Sequence, residues 1–350
     1  MDKAKLGELR HRFVGDLGAT RAALGVVLGD QLGLYRALAD RPQRTQELAD
    51  RTGTTARFLE EEWLRSQAAG GYVEHDPTAG TYSLTEEQAL ILTNPDGPVS
   101  APGAFQLALG VLRAVPEIAR VFRTGEGFGW HQHDPEVSTG CERFFRPGYN
   151  ANLLTTWIPA LDGVEAKLRT GARVADIGCG QGTSTILMAK AFPRSRFVGS
   201  DYHEGSIERA RQRADAAEVT GRVSFEVASA QAFGGGPYDL VTTFDALHDM
   251  GDPLGAARHV LESLADDGTW MIVEPYAGGA VVDNLNPVGR IYYSLSMILC
   301  VPGALSQTGG YSLGAQAGEA PIHRLTADAG FTRFRRVAET PFNIVYEAHP

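Results

Sequence analysis

The sequence predicts an α/β fold, with a mainly parallel sheet and crossover helices in the second half, preceded by a mainly helical module. Two patterns predict it. From about residue 166 onward, short runs rich in branched and aromatic residues (ARVADIG, RFVGSD, VSFEVASA, YDLVTTFD, TWMIVEP) read as strands. Helical segments such as TSTILMAKAF, SIERARQRADAAEV and DPLGAARHVLESL lie between most of them, the signature of parallel strands joined by crossovers. The closing segments FTRFRRVAET and PFNIVYEAHP follow one another directly and predict an antiparallel finish. Before residue 95 the apolar spacing is helical instead, as at Leu24, Leu28, Leu32, Tyr35 and Leu38.

Each element of the first module has a local reason. Residues 1–95 read as short helices followed by a hairpin. A turn near Gly53 precedes a helix over 54–69, Gly70 and Gly71 stop it, and GYVEH and TYSLT flank a turn over 76–80. That order is a winged helix-turn-helix. Thr85 and Gln88 have the spacing of a capping box that opens a further helix. Residues 96–165 form a proline-punctuated helical connector rich in aromatic residues, among them Phe128, Trp130, Phe144, Phe145, Tyr149 and Trp157. The expected domains are therefore 1–95, the connector 96–165, and 166–350.

Composition narrows the partners. The 350 residues carry 42 acidic against 32 basic side chains, a net charge of -10. That balance disfavours a broad basic footprint for nucleic acid or anionic lipid. Within 1–95 there are 14 acidic and 11 basic residues, and the expected recognition helix holds Glu60, Glu61 and Glu62. Phosphate contacts dominate DNA affinity, so this module is expected to dimerise the protein rather than bind DNA; a ligand-sensing regulator is the competing reading. Cys141, Cys179 and Cys300 are few, widely spaced and free of a CxxC pair, which fits a reducing, cytoplasmic setting without structural zinc. The apolar stretch 291–305 is about fifteen residues long with two serines and a proline, short of the ~20 a membrane span needs. No membrane association is expected.

The sharpest motif is Asp176-Ile177-Gly178-Cys179-Gly180-Gln181-Gly182-Thr183, set between a strand and a helix. Glycines there let the backbone turn tightly and approach a ligand. A dinucleotide fingerprint has the spacing G-x-G-x-x-G, whereas this loop reads G-x-G-x-G with an acid two residues ahead. In this the sequence resembles class I S-adenosylmethionine (SAM) methyltransferases, whose first motif is D/E-x-G-x-G-x-G. The resemblance implies a Rossmann-like seven-stranded sheet and SAM as cofactor. It implies that Asp176 reaches toward the methionine portion, directly or through water, that Gly178, Gly180 and Gly182 make room for sulfonium and ribose, and that Asp201, with Tyr202 beside it, takes the ribose hydroxyls. Ser229, Ala230 and Gln231 stand where the family places its adenine contacts, although Ser229 replaces the usual acid. Phe244 and Asp245 come beside the cofactor from the fourth strand of that sheet.

FDALHDMGDP resembles the L-H-D-W-S-D segment of small-molecule O-methyltransferases that also carry an N-terminal winged-helix domain, with Met250 in place of the tryptophan. The resemblance implies His248 as base for a substrate hydroxyl, next to Asp249 and flanked by Glu274 after the fifth strand. The chemistry supports this: a histidine titrates near neutrality, and an adjacent carboxylate orients the ring and stabilises its charged form. Trp130, His131, His133, Phe145, Tyr149 and Tyr292 are expected to line the substrate pocket, with Asn150 a weaker candidate. His131, His133 and Asp134 lack further recognisable ligands, so no metal is expected. The insertion 275–321 reads as a substrate lid with hinge glycines at 278, 279, 309 and 310. The expected function is methylation of a small, mostly apolar hydroxyl-bearing metabolite, with C- or N-methylation on the same scaffold as the alternative.

Overall fold

The computed structural model describes residues 1–350. The chain divides into two compact units, 1–110 with 139–147 and 111–138 with 148–350. The connector is thus shared between the two.

In the N-terminal unit the expected short helices are replaced at the outset by one 29-residue helix, Lys3–Gln31. Asp2 starts it, its Oδ1 accepting from the N–H of Ala4 at 2.9 Å. Glycines inside the helix weaken it without stopping it, and the first left-handed residue is Gly33, at φ 69°. Gly29 is required for packing, since a Cβ there would lie 2.5 Å from the Tyr35 ring and 2.6 Å from that of Trp63. Helices Leu34–Asp40 and Thr45–Thr52 follow, then Gly53 at φ 66° and a helical run over 56–69 whose middle, Leu59–Leu64, widens to a π-helix. Strands β1 (Glu74–Asp76) and β2 (Thr81–Ser83) pair antiparallel as the wing. Val26, Leu34, Tyr35, Leu38, Leu48 and Leu64 fill the core, while Glu60, Glu61 and Glu62 are exposed. Tyr35 donates to Gln67 Oε1 at 2.5 Å in this core.

The second unit holds a seven-stranded sheet of β3 (Arg173–Ile177), β4 (Arg196–Asp201), β5 (Val223–Val227), β6 (Tyr238–Phe244), β7 (Leu264–Pro275), β8 (Arg333–Glu339) and β9 (Asn343–His349). Their order is β5-β4-β3-β6-β7-β9-β8, parallel except for β9, which is antiparallel to both neighbours. The order in which strands are added reverses between the parallel neighbours β3 and β6, and such switch points open a crevice at the carboxyl ends of the strands. The β7–β9 register sets Asn343 opposite Pro275, so the last strand begins where β7 ends. Trp270, Tyr238, Val241, Ile272 and Tyr346 are fully buried beneath that edge.

The insertion folds as the helical segments Pro287–Leu295, Ser296–Cys300 and Val301–Leu305, the middle one π-helical. The expected fifteen-residue apolar stretch is therefore part of a 19-residue helical run, 287–305, which is long and apolar enough by length and composition to cross a membrane. Asn286 caps it ahead of Pro287, and the wider π-turn admits Pro302 without ending the run. Tyr292, Ile298, Leu299, Cys300 and Ala304 are buried in the unit.

Replacing Tyr35 with Phe strands the Gln67 acceptor in the first core and is expected to destabilise the protein by about 1–3 kcal/mol. Urea unfolding followed by circular dichroism checks this; an unchanged midpoint would show that this hydrogen bond contributes nothing net.

Candidate active site

The loop after β3 is shaped by its glycines for two different reasons. Gly178, Gly180 and Gly182 have φ of 71°, 52° and 75°, conformations L side chains rarely adopt. At Gly178 a Cβ would also meet Ala246 at 2.6 Å, and at Gly182 the Phe225 ring at 2.6 Å, whereas at Gly180 it would meet nothing within 4 Å. The first and third glycines serve packing, and the second borders open space. Asp201, at the end of β4, accepts from the Gly180 N–H at 2.9 Å and from the His203 N–H at 2.8 Å. It thereby ties the loop to the adjacent strand.

Asp176 is placed differently from a ligand-facing group. Ser184 Oγ and Thr185 Oγ1 each donate to its Oδ2 at 2.6 Å, and Thr242 Oγ1 to its Oδ1 at 3.0 Å. It is 1% exposed, and burial raises its pKa against the pull of these hydroxyls. In this geometry it anchors the loop and the helix Thr183–Ala191 to β6. Beyond β4, Tyr202 is 36% exposed. Ser229 is exposed, Ala230 half-buried, and Gln231 donates to the Asp252 carbonyl at 2.9 Å.

Past β6, Asp245 has φ 49°, the strained region where non-glycine residues cluster at functional sites. Tyr149 Oη donates to its Oδ2 at 3.1 Å and Asn343 Nδ2 to its Oδ1 at 2.7 Å. Burial, then the neighbouring Glu274 carboxylate, pushes its pKa up to about 8. Phe244 is buried with its ring 5.3 Å from that of Tyr149.

His248 and Glu274 are each 3% exposed. Glu274 Oε2 lies 2.7 Å from His248 Nδ1, and its Oε1 accepts from the Leu247 N–H at 3.0 Å. The other ring nitrogen, Nε2, lies 3.1 Å from Asp249 Oδ1. Burial works to lower the imidazole pKa, but the Glu274 and Asp249 carboxylates outweigh it and hold the pKa well above the ordinary value. His248 is thus buried between two carboxylates that favour its protonated form.

The insertion is fastened to this loop. Gln307 Nε2 donates to the Asp249 carbonyl at 2.7 Å, its Oε1 accepts from the Gly251 N–H at 3.3 Å, and the Tyr311 N–H donates to the Gly251 carbonyl at 2.9 Å. Gly309 and Gly310 have positive φ, and Gly309 packs against Gly251. Gly278 is held instead by Asn284, whose Oδ1 accepts from its N–H at 2.7 Å.

Of the expected pocket residues, Tyr149 is joined to Asp245, and Tyr292 is buried against Cys300 with its hydroxyl donating to the Phe342 carbonyl at 2.7 Å. Trp130, His131 and His133 line a cleft of about 560 Å³ with His203, Glu208 and Arg209. His133 is buried, edge-on to Phe128 at 4.6 Å, and burial lowers its pKa to about 4. Phe145 belongs to the N-terminal unit, where its ring meets Phe144 at 4.8 Å. Sequence reasoning missed Asn343 and Gln307. Neither stands in a motif, and only the β7–β9 register and the fold of the insertion deliver them.

The sheet order, the glycine loop at its switch point and the winged module together define a two-domain class I methyltransferase architecture. Residues 168–310 match the methyltransferase domain family and residues 20–94 the Rv2258c-like winged HTH domain, so the chain carries a methyltransferase domain behind an N-terminal winged helix-turn-helix. It is 37% identical over 103 residues to 27-O-demethylrifamycin SV methyltransferase of Amycolatopsis mediterranei (strain S699), a match spanning 29% of this chain and 38% of that protein. The structure of mitomycin 7-O-methyltransferase superposes over all of both chains with a TM-score of 0.71 at 18% identity. That of human N-acetylserotonin methyltransferase, in complex with SAM, covers 100% of this chain and 98% of its own with a TM-score of 0.71 at 16% identity. Both likenesses establish the fold.

The pKa of Asp245 sets a pH dependence. In the folded state it titrates at about 8, in an unfolded chain near 3.8. Between those values the folded state holds a proton the unfolded chain has lost, so this group's contribution to stability falls as pH rises from about 4 to about 8. Asp245→Asn keeps hydrogen-bonding atoms in place without titrating and should flatten that part of the melting-temperature profile. A variant with the wild-type slope would show that Asp245 is ionised throughout.

Proposed function

We propose that this chain is a SAM-dependent methyltransferase acting on a small, mostly apolar hydroxyl-bearing metabolite, with aromatic compounds among the candidates. The observation that carries the reading is the loop 178–182 folded onto Asp201, open at Gly180, on the same sheet edge as a carboxylate-held histidine. The residues fit the cofactor. Asp176, Asp201, Asp245 and Glu274 have no lysine or arginine among their hydrogen-bond partners, which suits a cationic ligand. Asp201 retains acceptor capacity for ribose hydroxyls. Asp176 supports the loop from behind rather than meeting the ligand. SAM supplies an electrophilic methyl group on a sulfonium.

The chain's own part is to hold the acceptor in line and manage its proton. Placement is worth ~7–11 kcal/mol, whereas a general base contributes ~10²–10⁴-fold, so orientation is the larger effect. In its neutral form His248 accepts the hydroxyl proton, once Nε2 has given up its own proton to solvent and turned from Asp249 to the acceptor, and Glu274 then stabilises the imidazolium. The engagement of both ring nitrogens by carboxylates also supports a second reading, in which His248 positions the acceptor and the methylated atom is nitrogen or carbon. In either case the insertion 275–321 roofs the pocket. The module 1–95 forms a cytoplasmic homodimer, a role supported by the exposed Leu9, Phe13 and Val14 on its first helix.

Gly180→Val, which adds a branched side chain at φ 52°, is expected to abolish SAM binding measured by calorimetry. Retained binding would remove the loop from the cofactor site. His248→Ala should cut turnover by ~10²-fold or more with SAM affinity near normal, scored by labelled methyl transfer to phenols, carboxylates, amines and activated carbons. Unchanged turnover would retire the base assignment in favour of the second reading.

A further inference from the structure

We propose that the cleft between residues 130–138 and the helix Glu204–Ala216 binds a small molecule through a carboxylate or phosphate group, in addition to SAM. Both walls belong to the second unit. The space is about 560 Å³, room for a small organic molecule and not only for a bare ion. His133 is the first reason. It lines the cleft at 7% exposure, and neither of its ring nitrogens has a hydrogen-bond partner. A neutral imidazole has one N–H to donate and one nitrogen to accept with, and leaving both unmade in a buried place costs stability. A phenyl ring would fill the same place, edge-on to Phe128, without that cost.

The opposite wall is built for negative charge. It is the start of a 13-residue helix, whose first N–H groups and dipole favour an anion. No side chain caps that end: His203 holds the N-cap position and its Nδ1 lies 2.8 Å from Ser206 Oγ. The His203 ring lies beside Gly205, where a Cβ would stand 3.4 Å from its Cε1 and 3.7 Å from its Nε2. Arg209, one turn further along the same wall, is exposed and engaged in no ion pair. Two acids line the cleft. Asp134 is already paired with Arg113 and accepts from the Glu136 N–H at 2.9 Å. Glu208 is the other, and it is outweighed by Arg209, the helix end and the imidazoles of His131 and His203.

The segment facing the helix is fixed in place. Trp130–Gln132 is a 3-10 turn closed by Gln132, whose Oε1 accepts from the Gly129 N–H at 2.8 Å. The His131 ring folds back on Gly129, where a Cβ would lie 2.8 Å from its Cε1. Burial holds the pKa of His133 down at about 4, and burial and His131 lower that of His203 against the pull of Asp201. An oxyanion in the cleft reverses that balance by favouring the charged imidazoles, which take up protons from solvent as it binds. Between about pH 5 and 8, Arg209, Glu208 and Asp134 keep their charge while the three histidines lose theirs, so affinity falls as pH rises.

Full-length protein carrying isotope-labelled histidine, titrated separately with inorganic phosphate and with benzoate, tests the site by nuclear magnetic resonance. At least one probe should saturate at one equivalent and move the imidazole resonances of His131, His133 and His203, and the tighter of the two identifies phosphate or carboxylate as the group recognised. Benzoate, whose own charge is constant over the range, should bind more weakly as pH rises from about 5 to 8. Arg209→Gln should weaken binding by about 10-fold or more. His133→Phe should weaken it by about as much without lowering the melting temperature, since it removes an unbonded buried imidazole. No saturable binding of either probe, binding unchanged in either variant, or a probe displaced by SAM would each overturn the proposal. SAM calorimetry on the same samples separates the readings. SAM binding with no anion uptake sinks only the anion site, whereas anion uptake with no SAM binding sinks only the cofactor assignment.

Discussion

Four carboxylates stand at the carboxyl edge of the sheet, and taking them out of water is the constraint from which the rest of the site follows. Asp176 on β3, Asp201 on β4, Asp245 just past β6 and Glu274 on β7 are each stabilised by hydroxyls, amides or a ring nitrogen, with no lysine or arginine among their hydrogen-bond partners. An unpaired buried charge is too expensive to keep, so each has drawn polar groups inward. Asp201 draws the Gly180 amide and so folds the glycine loop. Asp245 takes Tyr149 from 96 positions before it and Asn343 from 98 positions after it. Glu274 takes both the backbone and the side chain of the histidine loop. The local geometry is the solution to a solvation problem.

That view explains what could be read from sequence. The glycine loop and Asp201 were legible because their reasons are local: a tight turn with positive φ and an acid ending a strand. The alternation of strands and helices and the antiparallel finish were legible for the same reason, since period and turn signals act over a few residues. The pairing of His248 with Glu274 was legible because both end neighbouring strands.

The rest depended on partners distant in sequence. Asp176 looks ligand-facing until Ser184, Thr185 and Thr242 are seen converging on it, and no spacing rule announces three hydroxyls. Asn343 reaches Asp245 only because β9 runs antiparallel and begins at the end of β7. The first helix runs on where breaks were expected, because its glycines, at Gly29 above all, permit close packing instead of turning the chain. The helical run of the insertion is longer than its apolar core, because helix length follows caps and hydrogen bonds more than hydropathy.

Gln307 carries a consequence for how such a protein diversifies. One amide side chain joins the carbonyl of Asp249 to the N–H of Gly251, so the wall contributed by the insertion and the loop carrying the histidine are mechanically a single part. Variation that reshapes the insertion therefore also shifts the loop that carries His248. The two segments are inherited as a coupled pair, and an engineer wishing to alter one alone must first uncouple them at this glutamine.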